Sequence, residues 1–244
     1  MSFFTKLIEK QKKRKLASSI EKIGSKNTTL ESRQGAIEYL SKQSGFEAIY
    51  GLLQRFNYTI DKSIVDNDEK EKVVEYVLAY GVEAVPPLQK YIVKSETIGL
   101  PLRILRKLIS EEDYIRFLVD TLKTEESIFD HKAEEKKIDI LHYLEEFKNP
   151  LVFDKARMLL NDYDERIRLA ALSVLEKQDN EVIRDDLLKI LIKPEESRRI
   201  TSKIIDIFKH THWDVKGYRK LVEEMLPDGF YITKEGFIRE RGNN

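Results

Sequence analysis

The chain has 244 residues, enough for one large domain or two small ones and for a substantial core. It is 41% hydrophobic and 35% charged, and its 43 basic and 43 acidic residues cancel, so no global field directs it to nucleic acid or to anionic membranes. The absence of cysteine excludes disulfides, thiolate nucleophiles and thiolate metal sites, which suits a reducing compartment and makes the cytoplasm the expected location.

Residues 1–28 are predicted to form a basic leader helix. Lys6, Lys10, Lys12, Lys13, Arg14, Lys15, Lys22 and Lys26 stand against Glu9 and Glu21. The basic cluster follows Phe3, Phe4, Leu7 and Ile8 instead of preceding an apolar core, so the segment does not read as a secretory signal. It offers a basic face with a short apolar stripe to a membrane surface or a partner. The plainer expectation is a frayed terminus that packs a few apolar residues on the first repeat. No stretch of the sequence reaches the ~20 apolar residues that a membrane span needs.

From 29 to 226, apolar residues recur at three- and four-residue spacing, and glycine and proline are few, so this region is predicted to be helical throughout. "GFEAIYGLLQRF" (Gly45 to Phe56) and "GVEAVPPLQKYI" (Gly81 to Ile92) share Gly, Glu, Ala and Leu in register, the mark of an internal repeat. Each is preceded by a helix with an anchor residue, a small or apolar residue three later and a large one four after that. These sets are Arg33/Ala36/Leu40, Glu71/Val74/Leu78, Pro101/Ile104/Leu108, Lys137/Ile140/Leu144, Arg168/Ala171/Leu175 and Thr201/Ile204/Phe208. Their last members lie 30 to 38 positions apart, the range of two-helix repeats.

The second helices carry stripes of their own: Ile49/Leu52/Phe56, Val85/Leu88/Ile92, Ile115/Leu118/Leu122, Phe153/Ala156/Leu160, Ile183/Leu187/Leu191 and Tyr218/Leu221/Met225. A single pair cannot bury both apolar faces, whereas stacked pairs create a continuous core. Gly45 and Gly81 fall between helices, where a left-handed turn residue is needed, and Pro86 and Pro87 fit a first helical turn. Two longer connections, "NYTIDKSIVDNDEK" and "KTEESIFDHKAEE", bring Ile60, Ile64, Val65, Ile128 and Phe129 to the stack or to a partner. In the last segment, 227–244, "DGFYITKEGFIRER" alternates around a turn at Lys234 to Gly236, which predicts a β-hairpin capping the final pair. Trp213 and Tyr218 are expected to wedge that pair against the hairpin.

In "DYDERIRLAALSVLEKQ", residues Asp162, Asp164, Ile167, Arg168, Ala171 and Leu175 give an acidic cap, an apolar-Arg step, a small residue and a leucine. This pattern is similar to the HEAT repeat, in the short form called PBS-lyase HEAT-like. "SRQGAIEYL" keeps Arg33, Ala36 and Leu40 of it. The resemblance implies an all-α fold, a right-handed α-solenoid of about six helix pairs over 29–226, in a bacterial-type protein.

Chemistry-bearing constellations are sparse. "HTHWD" brings His210, His212 and Asp214 close in sequence, but a two-residue step places imidazoles on different faces of a helix. His142 and Glu145 form a common i, i+3 pair, and "DNDEKEKVVEYV" lacks the Gly and the Glu of a calcium loop, so it reads as an acidic helix start. No phosphate loop, nucleophile elbow or metalloprotease helix is found, and the expectation is a non-enzyme without metal or cofactor.

The expected activity is that of a protein-binding adaptor or scaffold, with another protein or peptide held on the concave face made by the second helices. Tyr50, Gln54, Lys90, Arg116, Asp120, Arg157, Lys189 and Arg219 are its candidate contact residues. HEAT-like repeats also build a DNA glycosylase, which makes nucleic acid the alternative partner. The alternating charges of these positions argue against a phosphate track. A chromophore-lyase-like activity and a membrane-surface role through the leader complete the alternatives.

Overall fold

A computed structural model describes residues 3–122 and 131–241. The expected connection residues Ile128 and Phe129, like the side chains of Phe3 and Phe4, lie outside this description. Apart from one small sheet, the described chain is all-α. It divides into two compact units, residues 1–117 and 118–244.

The first unit begins with α1 (Phe3–Gly24), a helix whose last two turns belong to the core, with Ile23 fully buried. α1 packs on α2 (Leu30–Ser41) and α3 (Phe46–Leu53). Thr29 caps α2 through a hydrogen bond from the Ser32 amide, and Gly45 enters α3 at φ 94°, the left-handed conformation expected of it. A 3-10 turn over Gln54–Asn57 extends α3. Next come α4 (Ser63–Ala79), a 3-10 turn at Gly81–Ala84, α5 (Val85–Lys94), α6 (Gly99–Leu108) and α7 (Glu111–Thr121). α2 packs on α4, α4 on α6 and α3 on α5, so like helices of successive pairs meet.

Gly51 is a point of close approach between helices within this unit. A methyl group there would lie 2.6 Å from Ile20 Cγ1 on α1 and 2.9 Å from Leu40 Cδ1 on α2. Alanine would recover about 1 kcal/mol of helix propensity against ~1–3 kcal/mol of overpacking, so valine is the sharper probe. Gly51→Val is expected to destabilise the protein by about 3 kcal/mol, read as a lower urea midpoint at unchanged slope.

Around α4 and α5 the structure refines the sequence expectations. The stretch 57–70 is not a connection throughout, because α4 starts at Ser63. Its acidic helix start is present, with Asp66 in the first turn, and Asp66 and Glu69 are buried, sharing a face with Val73 and Val77 at spacings of three and four. That register leaves Glu71 exposed and Leu78 half-buried, one position off the expected stripe. Ile64, expected to reach either the stack or a partner, is 76% exposed. In α5 the buried set is Pro87, Leu88, Tyr91 and Ile92, with Val85 only partly covered.

The second unit contains α8 (His131–Leu144), α9 (Pro150–Leu159), α10 (Glu165–Gln178), α11 (Arg184–Leu191), α12 (Arg198–Thr211) and the short α13 (Arg219–Met225). α10 touches α8, α9 and α12, which explains its small centre: Ala170 and Ala171 are buried where neighbouring helices close in. Asp164 caps α10 by accepting the Arg166 amide at 2.7 Å. In α13 the buried residue is Val222, while Leu221, expected in the stripe, is 48% exposed. β1 (Phe230–Ile232) and β2 (Ile238–Glu240) form the antiparallel hairpin, with Ile232 opposite Ile238. β2 packs on α12 and β1 on α13.

Candidate functional site

On the outer side of α3 and α5, the first unit gathers residues that its core does not need. Ile49, Leu52 and Leu53 turn α3 inward, which leaves Phe46 and Tyr50, one turn apart, half-exposed on the other side. Their rings stack at 5.8 Å between centroids. Lys90 of α5 lies over both, its Nζ 4.8 Å from the Phe46 centroid and 5.2 Å from that of Tyr50, an arrangement worth about 0.5–1 kcal/mol at an exposed site. Tyr91, the next residue, presents its ring edge-on to Tyr50 at 6.2 Å.

Tyr91 also fixes the polar half of this face. Burial pushes its phenol up to about 12, so the O–H remains a donor, and it donates to Asn57 Oδ1 at 2.6 Å. Ser95 Oγ donates to the same oxygen at 3.2 Å. With Oδ1 occupied as acceptor, the Asn57 amide nitrogen donates to Gln54 Oε1 at 2.9 Å, and Gln54 Nε2 donates to the Tyr50 carbonyl at 3.1 Å. Each amide nitrogen carries a second N–H beyond these bonds. The result is an aromatic platform beside two oriented amides and a lysine.

Of the eight candidates, the structure brings Tyr50, Gln54 and Lys90 together here. The sequence reading missed Phe46, Asn57, Tyr91 and Ser95. The signal for Phe46 was its i, i+4 spacing from Tyr50, whereas Asn57 and Ser95 follow the helical stripe and were legible only as turn residues. Arg116 pairs with Glu112 along the exposed side of α7 at 2.8 Å. Asp120 is exposed, and its charge opposes the burial that lowers the Lys155 pKa.

In the second unit, Arg157 of α9 and Lys189 of α11 flank Asp186 at 2.7 and 3.9 Å, a self-neutralised group. Arg219 is committed elsewhere. Its guanidinium donates to the Thr233 carbonyl at 2.7 Å, the Ile232 carbonyl at 3.0 Å and Glu223 at 2.9 Å, clamping the hairpin to α13.

The residues of "HTHWD" diverge. His210 Nδ1 meets Glu176 at 2.9 Å, His212 turns left-handed at φ 59°, and Asp214 accepts from Arg184 at 2.8 Å. Among the described residues, no group of three or more His, Asp or Glu is arranged to hold a metal ion.

A second electrostatic centre is internal. Arg55, fully buried, reaches Asp66 at 2.6 Å and Glu69 at 2.9 Å, while Arg33 holds Glu69 at 2.8 Å and Lys70 holds Asp66 at 2.7 Å. Burial alone would raise the Asp66 carboxyl. Hydrogen bonds from Lys70, Arg55 and the Ile60 amide outweigh it and hold the pKa to about 2. This cluster ties α2, the turn after α3 and α4 together.

Compared with family models, curated proteins and solved structures, the chain matches none.

Proposed function

We propose that the chain is a right-handed HEAT-like α-solenoid that serves as a protein-binding adaptor, and that an extended peptide segment of its partner docks across α3 and α5. The repeat reading is supported by a recurring ionic contact. In three first helices the anchor cation reaches an acidic residue belonging to the next pair: Arg33 to Glu69, Lys137 to Asp162 at 3.9 Å, and Arg168 to Glu196 through two bonds of 2.8 Å. Such contacts between neighbours are what a stack of similar units requires.

The observation that carries the binding reading is the Phe46/Tyr50 platform with the oriented Gln54 and Asn57 amides. Exposed aromatics supply area at small entropic cost, and amides pair with peptide backbone, which has no sequence of its own to read. Selection of a random peptide library against the full chain tests it. Enriched peptides are expected to lose about tenfold or more in affinity with Tyr50→Ala, the size of a binding hot spot, and nothing with the remote exposed change Val182→Ser. Failure to enrich any peptide, or binding indifferent to Tyr50→Ala, overturns the reading.

A further inference from the structure

Every residue of α1 from Lys6 to Lys15 is exposed, and the Lys15 ammonium over the Tyr39 ring, 4.4 Å from its centroid, marks where packing begins. A free helical segment of this length is marginal in water, where helices shorter than about 12–15 residues rarely persist alone. Its own charges weaken it further, because Lys6 and Lys10, and Lys10 and Arg14, are like charges at i, i+4. Among the described residues, Lys6, Lys10, Lys12, Lys13 and Arg14 form no ion pair. Lys6, Lys10, Lys13 and Arg14 fall on one face, lining an open furrow with Glu9 and Ala17.

The apolar residues of this helix have two orientations. Leu16, Ile20 and Ile23 form the seam toward α2 and α3. At about 100° per residue, Leu7 lies about 140–180° around the helix from all three. It is 44% exposed, next to Ile8 at 54%. Continuing the seam would have required Leu7 on the other side. Leu7 therefore serves a surface that this unit does not contain, with Ile8 at the margin between that surface and the seam, and that surface must also accept a dense positive charge.

We infer that the first half of α1 docks the protein on an anionic lipid bilayer, with Leu7 and Ile8 entering the interface and Lys6, Lys10, Lys13 and Arg14 paired with acidic headgroups. Both features are those of an interfacial helix. A phosphate backbone would use the cations and leave the two apolar side chains in water, which favours lipid over nucleic acid. Docking lowers like-charge repulsion in the helix and gives its free half the contacts it lacks.

Vesicle flotation of the full chain is the test. Vesicles of phosphatidylcholine with phosphatidylserine are expected to carry the protein, phosphatidylcholine alone to leave it behind, and high salt to release it. Combining Lys6→Glu, Lys10→Glu, Lys13→Glu and Arg14→Glu is expected to weaken binding by about a hundredfold or more. Leu7→Ser with Ile8→Ser is expected to weaken it as well. All six positions are exposed, and an unchanged urea midpoint confirms that each variant is folded. Equal recovery on both vesicle types, no recovery on either, or full binding by the charge-reversed variant overturns the proposal. So does duplex DNA or RNA bound more tightly than the acidic vesicles, with no loss on Leu7→Ser and Ile8→Ser.

Discussion

Arg55→Met is expected to lower the free energy of unfolding by about 3–5 kcal/mol, measured as a fall in the urea midpoint. Arg55 is 0% exposed and bridges two buried carboxylates, with a third hydrogen bond of 3.1 Å to the Tyr58 carbonyl. Methionine fills much of the volume but strips Asp66 and Glu69 of a shared partner in a place that water does not reach. Arg55→Lys should recover little, because a single ammonium cannot span both carboxylates as the forked guanidinium does. A double-mutant cycle with Asp66→Asn should show coupling of about 0.5–3 kcal/mol, and simple additivity would falsify the network reading.

The same cluster sets an acid limit. Asp66 has a folded pKa of about 2, below its ordinary value, so its contribution is fully present above pH ~4 and is lost as the pH falls through about 2. The difference is about 2–3 kcal/mol for this one group, and Asp66→Asn should flatten stability against pH in that window. A profile as steep in the variant as in the wild type would assign the acid loss to other carboxylates.

Phe208→Ala is expected to cost about 3–5 kcal/mol in the second unit and to shift the fluorescence of Trp213, the chain's one tryptophan, to the red. Phe208 is 1% exposed and meets the Trp213 ring edge-on at 6.0 Å and 89°. Trp213 begins the segment that carries the chain from α12 to α13, and two residues on the Val215 amide bonds the Gly236 carbonyl of the hairpin turn at 2.8 Å. Deleting the phenyl ring opens a void beneath the tryptophan where the hairpin is anchored, so emission reports the local loosening and urea the global cost. An unshifted spectrum with a loss under about 1 kcal/mol would show that the site collapses around the smaller side chain.

Local signals in the sequence were read well. Asp164 as a cap, Gly45 and Gly81 as turn residues, Pro86 and Pro87 in a first turn and the hairpin around Gly236 each depend on a few neighbouring residues. The register of α4 depends on a distant residue. Arg55 lies three positions after Leu52, on the apolar face of its helix, and a cation there demands a buried acid. That demand turns Asp66 and Glu69 inward and centres the buried stripe on Val73 and Val77; of the two positions that apolar spacing alone favoured, Val74 is buried and Leu78 only half-buried. The candidate site was legible to the same degree. Tyr50 and Gln54 share a face by their i, i+4 spacing, but Lys90 reaches them from another helix and the orientation of Asn57 comes from a tyrosine 34 residues away.

The anchor cations have a further consequence for how such a chain tolerates change in length. A surface loop usually accepts an inserted or deleted residue, because closing a slightly longer loop costs only a few tenths of a kcal/mol. Between Arg33 and Glu69, one residue gained inside the receiving helix would swing the acid about 100° away from its cation. Ion pairing thus acts as a ruler laid along the chain, holding some spacings that look like ordinary linkers to a fixed count while leaving others, where no cation reaches across, free to drift.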